Sequence, residues 1–176
     1  CSYRSAFEAV ERSCRTLHGL TFTKSRKSHP RFLRYRDGIK MNAKIHIIRH
    51  GRTFANEKSL YCGSTDIPLS ESGAKEILDF KSKGVYPKAE LFITSVMKRT
   101  IETLKLIYGD VDFITIKGLR EYDFGDFEMQ GYNELKDRPD YQEWITDEEG
   151  NVRCPGGESK NEFYKRVDQS TQKILK

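Results

Sequence analysis

The chain is poor in the residues that usually announce a metal centre or a disulfide framework. Its 176 residues hold four cysteines and four histidines. The cysteines, at 1, 14, 62 and 154, form no metal-binding spacing, and His18, His29 and His46 build no ligand cluster with them. That pattern argues against a structural zinc site. Reduced thiols are expected instead, and with them a reducing setting, read as the cytoplasm. Long apolar runs are also missing. No stretch approaches the roughly 20 residues that span a bilayer, so no membrane partner is expected. Internal repeats and low-complexity tracts are absent.

Acidic residues are scarce in one region only. Residues 1–40 carry 10 Lys/Arg against 3 Asp/Glu, whereas residues 41–176 carry 21 against 23. The net charge of +5 therefore belongs to the N-terminal segment. The rest of the chain offers no electrostatic footprint for nucleic acid. Two regions are expected on this basis. Residues 1–40 form a basic segment outside the domain, weakly periodic apart from a short helix near 6–17. It reads as upstream or tag-like sequence before Met41, as a transit peptide, or as an arm for an anionic partner. Residues 41–176 form one globular domain.

From Met41 the pattern alternates strand and helix. Ile45, Ile47 and Ile48 are β-branched and predict a buried strand over residues 43–49. Ser70 is placed to cap a helix running from Glu71 to about Lys83, with Ile77 and Phe80 on one face. A strand is expected over residues 90–94, a helix over residues 97–108 stopped by Gly109, and a strand over residues 111–116. An aromatic, acidic loop follows at residues 122–131, with short helical turns over residues 133–144. Ser159-Lys160-Asn161-Glu162 is a capping box that opens a last helix, with Phe163, Val167, Ile174 and Leu175 at helical spacing. The alternation argues for a mostly parallel sheet covered by helices on both faces, a three-layer αβα sandwich.

Chemistry concentrates where elements end. Arg49-His50-Gly51 falls where the first strand runs into a loop, the position at which open α/β sheets bind ligands. A neutral imidazole can attack phosphorus, an Arg fork matches two phosphoryl oxygens, and Gly lets the backbone turn close to an anion. A surface Arg and a capped His would give the same tripeptide. Asn56 can donate an amide to the same anion or simply form a turn. Gly63 and Ser64 offer backbone and hydroxyl donors in a loop leading to the Ser70 cap. Arg99 stands on the first turn of a helix, where N–H groups and the dipole already favour anions, though a solvated Arg fits there equally. Glu121 lies in an aromatic loop that suits a general acid. Four acids crowd that loop, and composition does not choose among Glu121, Asp123, Asp126 and Glu128. The loop at 155–159, reading PGGES, is a turn before a helix cap.

In this order, the pieces resemble the histidine phosphatase superfamily, the phosphoglycerate mutase-like proteins. The resemblance runs from about Met41 to Lys176. It rests on Arg49-His50-Gly51 with Asn56, GSTDIPLSESG at 63–73, Ser95 with Arg99 and Thr103, Leu119 with Glu121, Phe124 and Gly125, and PGGES at 155–159. It implies a phosphoglycerate mutase-like α/β fold and a phosphohistidine on His50, with Glu121 as proton donor. Arg49, Gly51, Asn56, Gly63, Ser64 and Arg99 would contact a small phosphorylated substrate. No cofactor and no metal are implied, because arginines take that place. The Glu121-Tyr122-Asp123-Phe124 sequence and the roughly 34 residues before Pro155 resemble the phosphatase branch, which includes alpha-ribazole phosphatases, more than the mutases. Arg52 stands where many members have Glu. Members also carry a second pocket His after the last helix, and these 176 residues supply none. The expectation is therefore a phosphomonoester hydrolase domain lacking its C-terminal part. Mutase-type transfer and a non-catalytic phosphate-binding fragment are the alternatives.

Overall fold

The computed structural model describes residues 44–174. The basic segment 1–40, its expected short helix and Leu175 lie outside them. Six helices and two strands follow in order: α1 (Phe54–Glu57), α2 (Glu71–Ser82), β1 (Ile93–Thr94), α3 (Lys98–Tyr108), β2 (Ile114–Thr115), α4 (Tyr132–Leu135), α5 (Pro139–Thr146) and α6 (Lys160–Ile174). Short 3-10 turns occupy Lys117–Leu119 and Gly125–Phe127.

The strand–helix–strand unit expected at the centre is present. β1 and β2 pair in parallel, with Ile93 beside Ile114 and Thr94 beside Thr115. α3 is the crossover that parallel strands require. It starts at Met97 as N-cap and ends at Gly109, whose φ of 83° closes the helix where a side chain would be strained. Both strands are shorter than the sequence pattern indicates.

Of the strand expected over residues 43–49, the described residues 44–49 form none. Residues 44–50 lie outside any helix or strand among the described residues, and Ile48 is exposed. β-branching favours extended backbone, but a strand also needs a neighbour to complete its ladder. No described segment pairs with this one.

The helix starts follow local chemistry closely. The Ser70 side chain accepts from Gly73 N–H at 3.1 Å and caps α2. Ile77 on that helix is buried, but Phe80 is exposed, which corrects the expected shared face. At α6 the capping box closes in both directions. Glu162 N–H donates to Ser159 Oγ (3.2 Å), and Ser159 N–H donates to Glu162 Oε2 (2.9 Å).

The core lies beneath the acidic loop. Tyr122, Phe124, Phe127, Leu135, Tyr141, Trp144, Cys154, Phe163 and Val167 form one buried cluster. Its polar atoms are matched internally. Trp144 Nε1 donates to Tyr122 Oη (2.9 Å), and Tyr122 Oη donates to the Glu158 carbonyl (2.6 Å). Burial raises the Tyr122 phenol well above its ordinary range, and pushes the Cys154 thiol up to about 12. Cys62 and Cys154 are both free thiols. No helix among the described residues is long and apolar enough to cross a membrane.

Candidate active site

His50 follows a segment without regular structure, so its position depends on what the next residues touch. Gly51 N–H donates to Thr103 Oγ1 on α3 (3.0 Å), and Thr103 Oγ1 donates back to the Arg99 carbonyl (2.7 Å). Gly73, on the first turn of α2, packs backbone against backbone on Arg52. A Cβ there would stand 2.2 Å from the Arg52 carbonyl oxygen. The two residues after His50 are thus pinned to two helices, Gly51 to α3 and Arg52 to α2.

The imidazole has one chemically defined form. Nδ1 lies 2.7 Å from the Gly51 carbonyl oxygen, which can only accept. Nδ1 therefore carries the proton and Nε2 presents its lone pair. The ring's pKa is lowered to about 4. Burial is the largest cause; the Gly51 bond opposes it, and the charges of Arg99 and Arg49 add to it. At neutral pH the ring is uncharged, as a nucleophile must be.

Arg99 supplies the charge beside it. Its residue is 2 % exposed, and it shares the buried face of α3 with Thr103 and Ile107. Its Nη1 donates to the Thr65 carbonyl (2.9 Å) and its Nη2 to the Gly63 carbonyl (2.7 Å). None of the ion pairs among the described residues includes it. A guanidinium held by carbonyls keeps its full positive charge for an anion. Arg49, by contrast, is exposed.

The loop after Gly63 is fastened to α3 along its length. Lys98 N–H donates to Asp66 Oδ1 (2.7 Å), which caps a helix start lacking its own side-chain cap. Leu69 N–H donates to Glu102 Oε2 (2.8 Å). Gly63 also brings this loop against the acidic one, since a Cβ there would lie 1.6 Å from the Tyr122 carbonyl oxygen. Only glycine permits that approach.

Glu121 is partly buried and accepts from Tyr122 N–H at 3.0 Å. Arg166 on α6 fixes its backbone, donating to the carbonyls of Gly118 (3.0 Å), Arg120 (3.1 Å) and Glu121 (3.3 Å). Arg166 pairs in turn with Glu158, which accepts from Asp123 N–H. Arg99 and Glu121 both act electrostatically on Cys62, whose thiol is raised chiefly by burial. Arg99 is common to both sides, since its charge also acts on the His50 ring.

Asn56, Gly63 and Ser64 make contacts that the sequence did not indicate. Asn56 Oδ1 accepts from Thr53 N–H and Thr53 Oγ1, both at 3.0 Å, closing a capping box on α1. Its Nδ2 is the end that can still donate outward. The Gly63 and Ser64 N–H groups donate to Glu128 rather than outward (3.0 and 2.8 Å). Glu158 and Arg166 were not singled out by the sequence, and Glu128 was one of four acids among which it did not choose. The one available signal was that a crowded acid at 128 and an Arg on an otherwise amphipathic helix need partners. An open cleft of about 370 Å³ near Tyr86 and Tyr108, at the far ends of α2 and α3, contains none of these residues.

Comparison with known proteins decides what this neighbourhood belongs to. Residues 45–176 match the family described as histidine phosphatase superfamily, branch 1. The chain belongs to the histidine phosphatase superfamily. It is 28 % identical over 135 residues to an adenosylcobalamin/alpha-ribazole phosphatase of Salmonella typhimurium, covering 74 % of this chain and 66 % of that protein. It is 32 % identical over 147 residues to a 2,3-bisphosphoglycerate-dependent phosphoglycerate mutase of Treponema denticola, covering 70 % and 56 %. Among solved structures it resembles a putative alpha-ribazole-5'-P phosphatase from Escherichia coli, with a TM-score of 0.66 and 27 % identity over 73 % of this chain and 64 % of that one. The fold is the α/β fold of the phosphoglycerate mutase-like histidine phosphatases. The chain spans less than two thirds of the length of these curated relatives.

Proposed function

We propose that this member of the histidine phosphatases hydrolyses small phosphomonoesters through a phosphohistidine on His50, with Glu121 as proton donor. One observation carries the reading. A neutral His50, with Nδ1–H tied to a carbonyl and Nε2 unprotonated, stands beside the buried charge of Arg99.

The Nε2 lone pair forms the N–P bond while the ester O–P bond breaks. The Glu121 carboxyl gives its proton to the departing alkoxide. Positive charge gathers on the ring, and the Gly51 carbonyl that accepts from Nδ1–H stabilises it. Arg99, with Arg49 from the exposed side and the Asn56 amide, holds the equatorial oxygens as their charge develops. Water then attacks phosphorus, Glu121 takes the proton, and the N–P bond breaks to release inorganic phosphate. In this arrangement arginines neutralise the charge that a metal ion neutralises elsewhere. Compact spacing after Glu121 favours water as acceptor over a second sugar or glycerate hydroxyl.

The test uses the chain with a ³²P-labelled phosphomonoester. An acid-labile, base-stable label should appear on the protein and vanish in His50→Gln, with turnover lowered at least about 10⁴-fold. A folded wild-type chain that takes no label would overturn the reading. Label passing to an added phosphoglycerate instead of water would replace hydrolysis by mutase transfer.

A further inference from the structure

Glu128 receives an unusual share of the donors in this region. Its carboxylate accepts from the backbone N–H groups of Gly63 (3.0 Å), Ser64 (2.8 Å), Thr65 (3.2 Å) and Phe124 (3.2 Å). Two hydroxyls join them, Ser64 Oγ at 3.2 Å and Thr65 Oγ1 at 2.7 Å. The loop's carbonyls point the other way. Gly63 and Thr65 give their carbonyl oxygens to Arg99 (2.7 and 2.9 Å).

One peptide group joins the two charges. The Gly63 carbonyl and the Ser64 N–H belong to the same amide, which accepts from Arg99 at one end and donates to Glu128 at the other. A carboxylate on the N–H side polarises that amide and strengthens its carbonyl as an acceptor. The orientation of this peptide fixes the guanidinium beside His50. Gly63 has no side chain to resist a flip of the peptide, so the restraint has to come from its partners.

We propose that Glu128 is a positioning residue for the phosphate grip: its carboxylate locks the 63–65 loop so that Arg99 meets the phosphoryl group on His50 in one fixed orientation. Glu128 does not touch the reacting atoms. It acts through the peptide and Arg99, and its catalytic consequence rests on the function proposed above. Charge and both oxygens are needed, because six donors converge on them. A glutamine of equal size presents an N–H₂ to donors at one of those positions and leaves them unmatched.

The experiment compares wild type with Glu128→Gln, with Glu143→Gln on the exposed side of α5 as control. Three quantities are read: thermal midpoint, ¹⁵N resonances of the Arg99 guanidinium assigned through Arg99→Lys, and affinity for inorganic phosphate. In Glu128→Gln the Arg99 N–H signals should broaden and exchange faster, and phosphate affinity should fall on the order of tenfold. Where turnover is measurable, kcat should fall more than KM rises, since the grip matters most in the transition state. The control should match wild type. Glu128→Asp, which keeps the charge with a shorter reach, gives the same readouts if Glu128→Gln does not fold. It should fall between wild type and Glu128→Gln. Unchanged Arg99 resonances in a folded Glu128→Gln would overturn the proposal, whatever the catalytic result. A wild type that shows no phosphoenzyme yet has Arg99 signals sensitive to Glu128 would overturn the catalytic reading and leave the positioning role standing.

Discussion

The segment carrying His50 leans on other elements, whereas the segment carrying Glu121 is part of a core. Around His50, Ile48, Arg49, Arg52 and Phe54 are exposed, and the loop is held by the bond to Thr103, by Ser70 N–H and hydroxyl donors to the Arg52 carbonyl (2.9 and 3.3 Å), and by backbone contact with Gly73. Around Glu121, Tyr122 and Phe124 are buried in an aromatic cluster, and Arg166 clasps the carbonyls of Gly118, Arg120 and Glu121. The difference separates two kinds of fragility. Damage to the acid side should appear first as lost stability. Damage to the nucleophile side should appear first as lost chemistry in a protein that still folds.

Trp144→Ala is the severest way to break that contrast. Trp144 is fully buried, stacks with Tyr61, Tyr122, Phe124, Phe127 and Tyr141, and its Nε1 donates to Tyr122. Truncation leaves a cavity and removes the indole donor to the Tyr122 hydroxyl, which keeps its bond to the Glu158 carbonyl, at a cost of about 3–5 kcal/mol. Urea unfolding should register that loss. A cost under about 1 kcal/mol would show that the aromatic cluster does not carry the acid side.

The second test turns on pH. The folded state holds His50 near a pKa of about 4, against 6.5 for an unperturbed ring. Between those values the unfolded chain takes up a proton that the fold refuses. Stability is therefore fully present above about pH 6.5, falls as pH drops toward 4, and levels off below that. The effect reaches up to about 3 kcal/mol. Acidic groups add their own slope, so the measurement is the difference between wild type and His50→Gln. The variant should be less sensitive to acid across this window. Equal slopes would mean that the imidazole is no more buried in the fold than in the unfolded chain.

Features settled within a few residues were legible in the sequence. Ser70 and the Ser159–Glu162 pair announce helix starts because a cap needs only its own next turn. Gly109 ends α3 for the same local reason. The β1–α3–β2 order was also readable, since alternation survives even when each strand shortens to two residues. Features that depend on a distant partner were not. Residues 43–49 carry strand propensity but find no ladder among the described residues. Asn56 looked like a ligand and is first a cap. Glu128 could not be told from Glu121, Asp123 and Asp126, because four carboxylates in one loop have the same composition and differ only in which backbone approaches them. Gly63, some 60 residues earlier, makes that choice.

Thr103→Val is the finest test of the contrast, and it isolates the single side-chain bond that fixes the nucleophile loop to α3. Valine keeps the shape and loses the hydroxyl. The helix keeps its own backbone bonds, because the Thr103 hydroxyl only adds a second donor to the Arg99 carbonyl. What is lost is the acceptor for Gly51 N–H, next to the carbonyl that fixes the His50 tautomer. An unmatched, partly buried N–H costs about 1–2 kcal/mol. Stability should therefore fall by less than the Trp144→Ala loss. Formation of the phosphoenzyme should slow by roughly tenfold, since an imidazole that can turn spends less time aimed at phosphorus. Thr103→Ser restores the hydroxyl without the methyl and should recover most of the rate while remaining slightly less stable. That split follows only if the loop is positioned by the bond and not by packing. If Thr103→Ser were as slow as Thr103→Val, the methyl group would be what holds His50, and the nucleophile side would rest on packing as the acid side does.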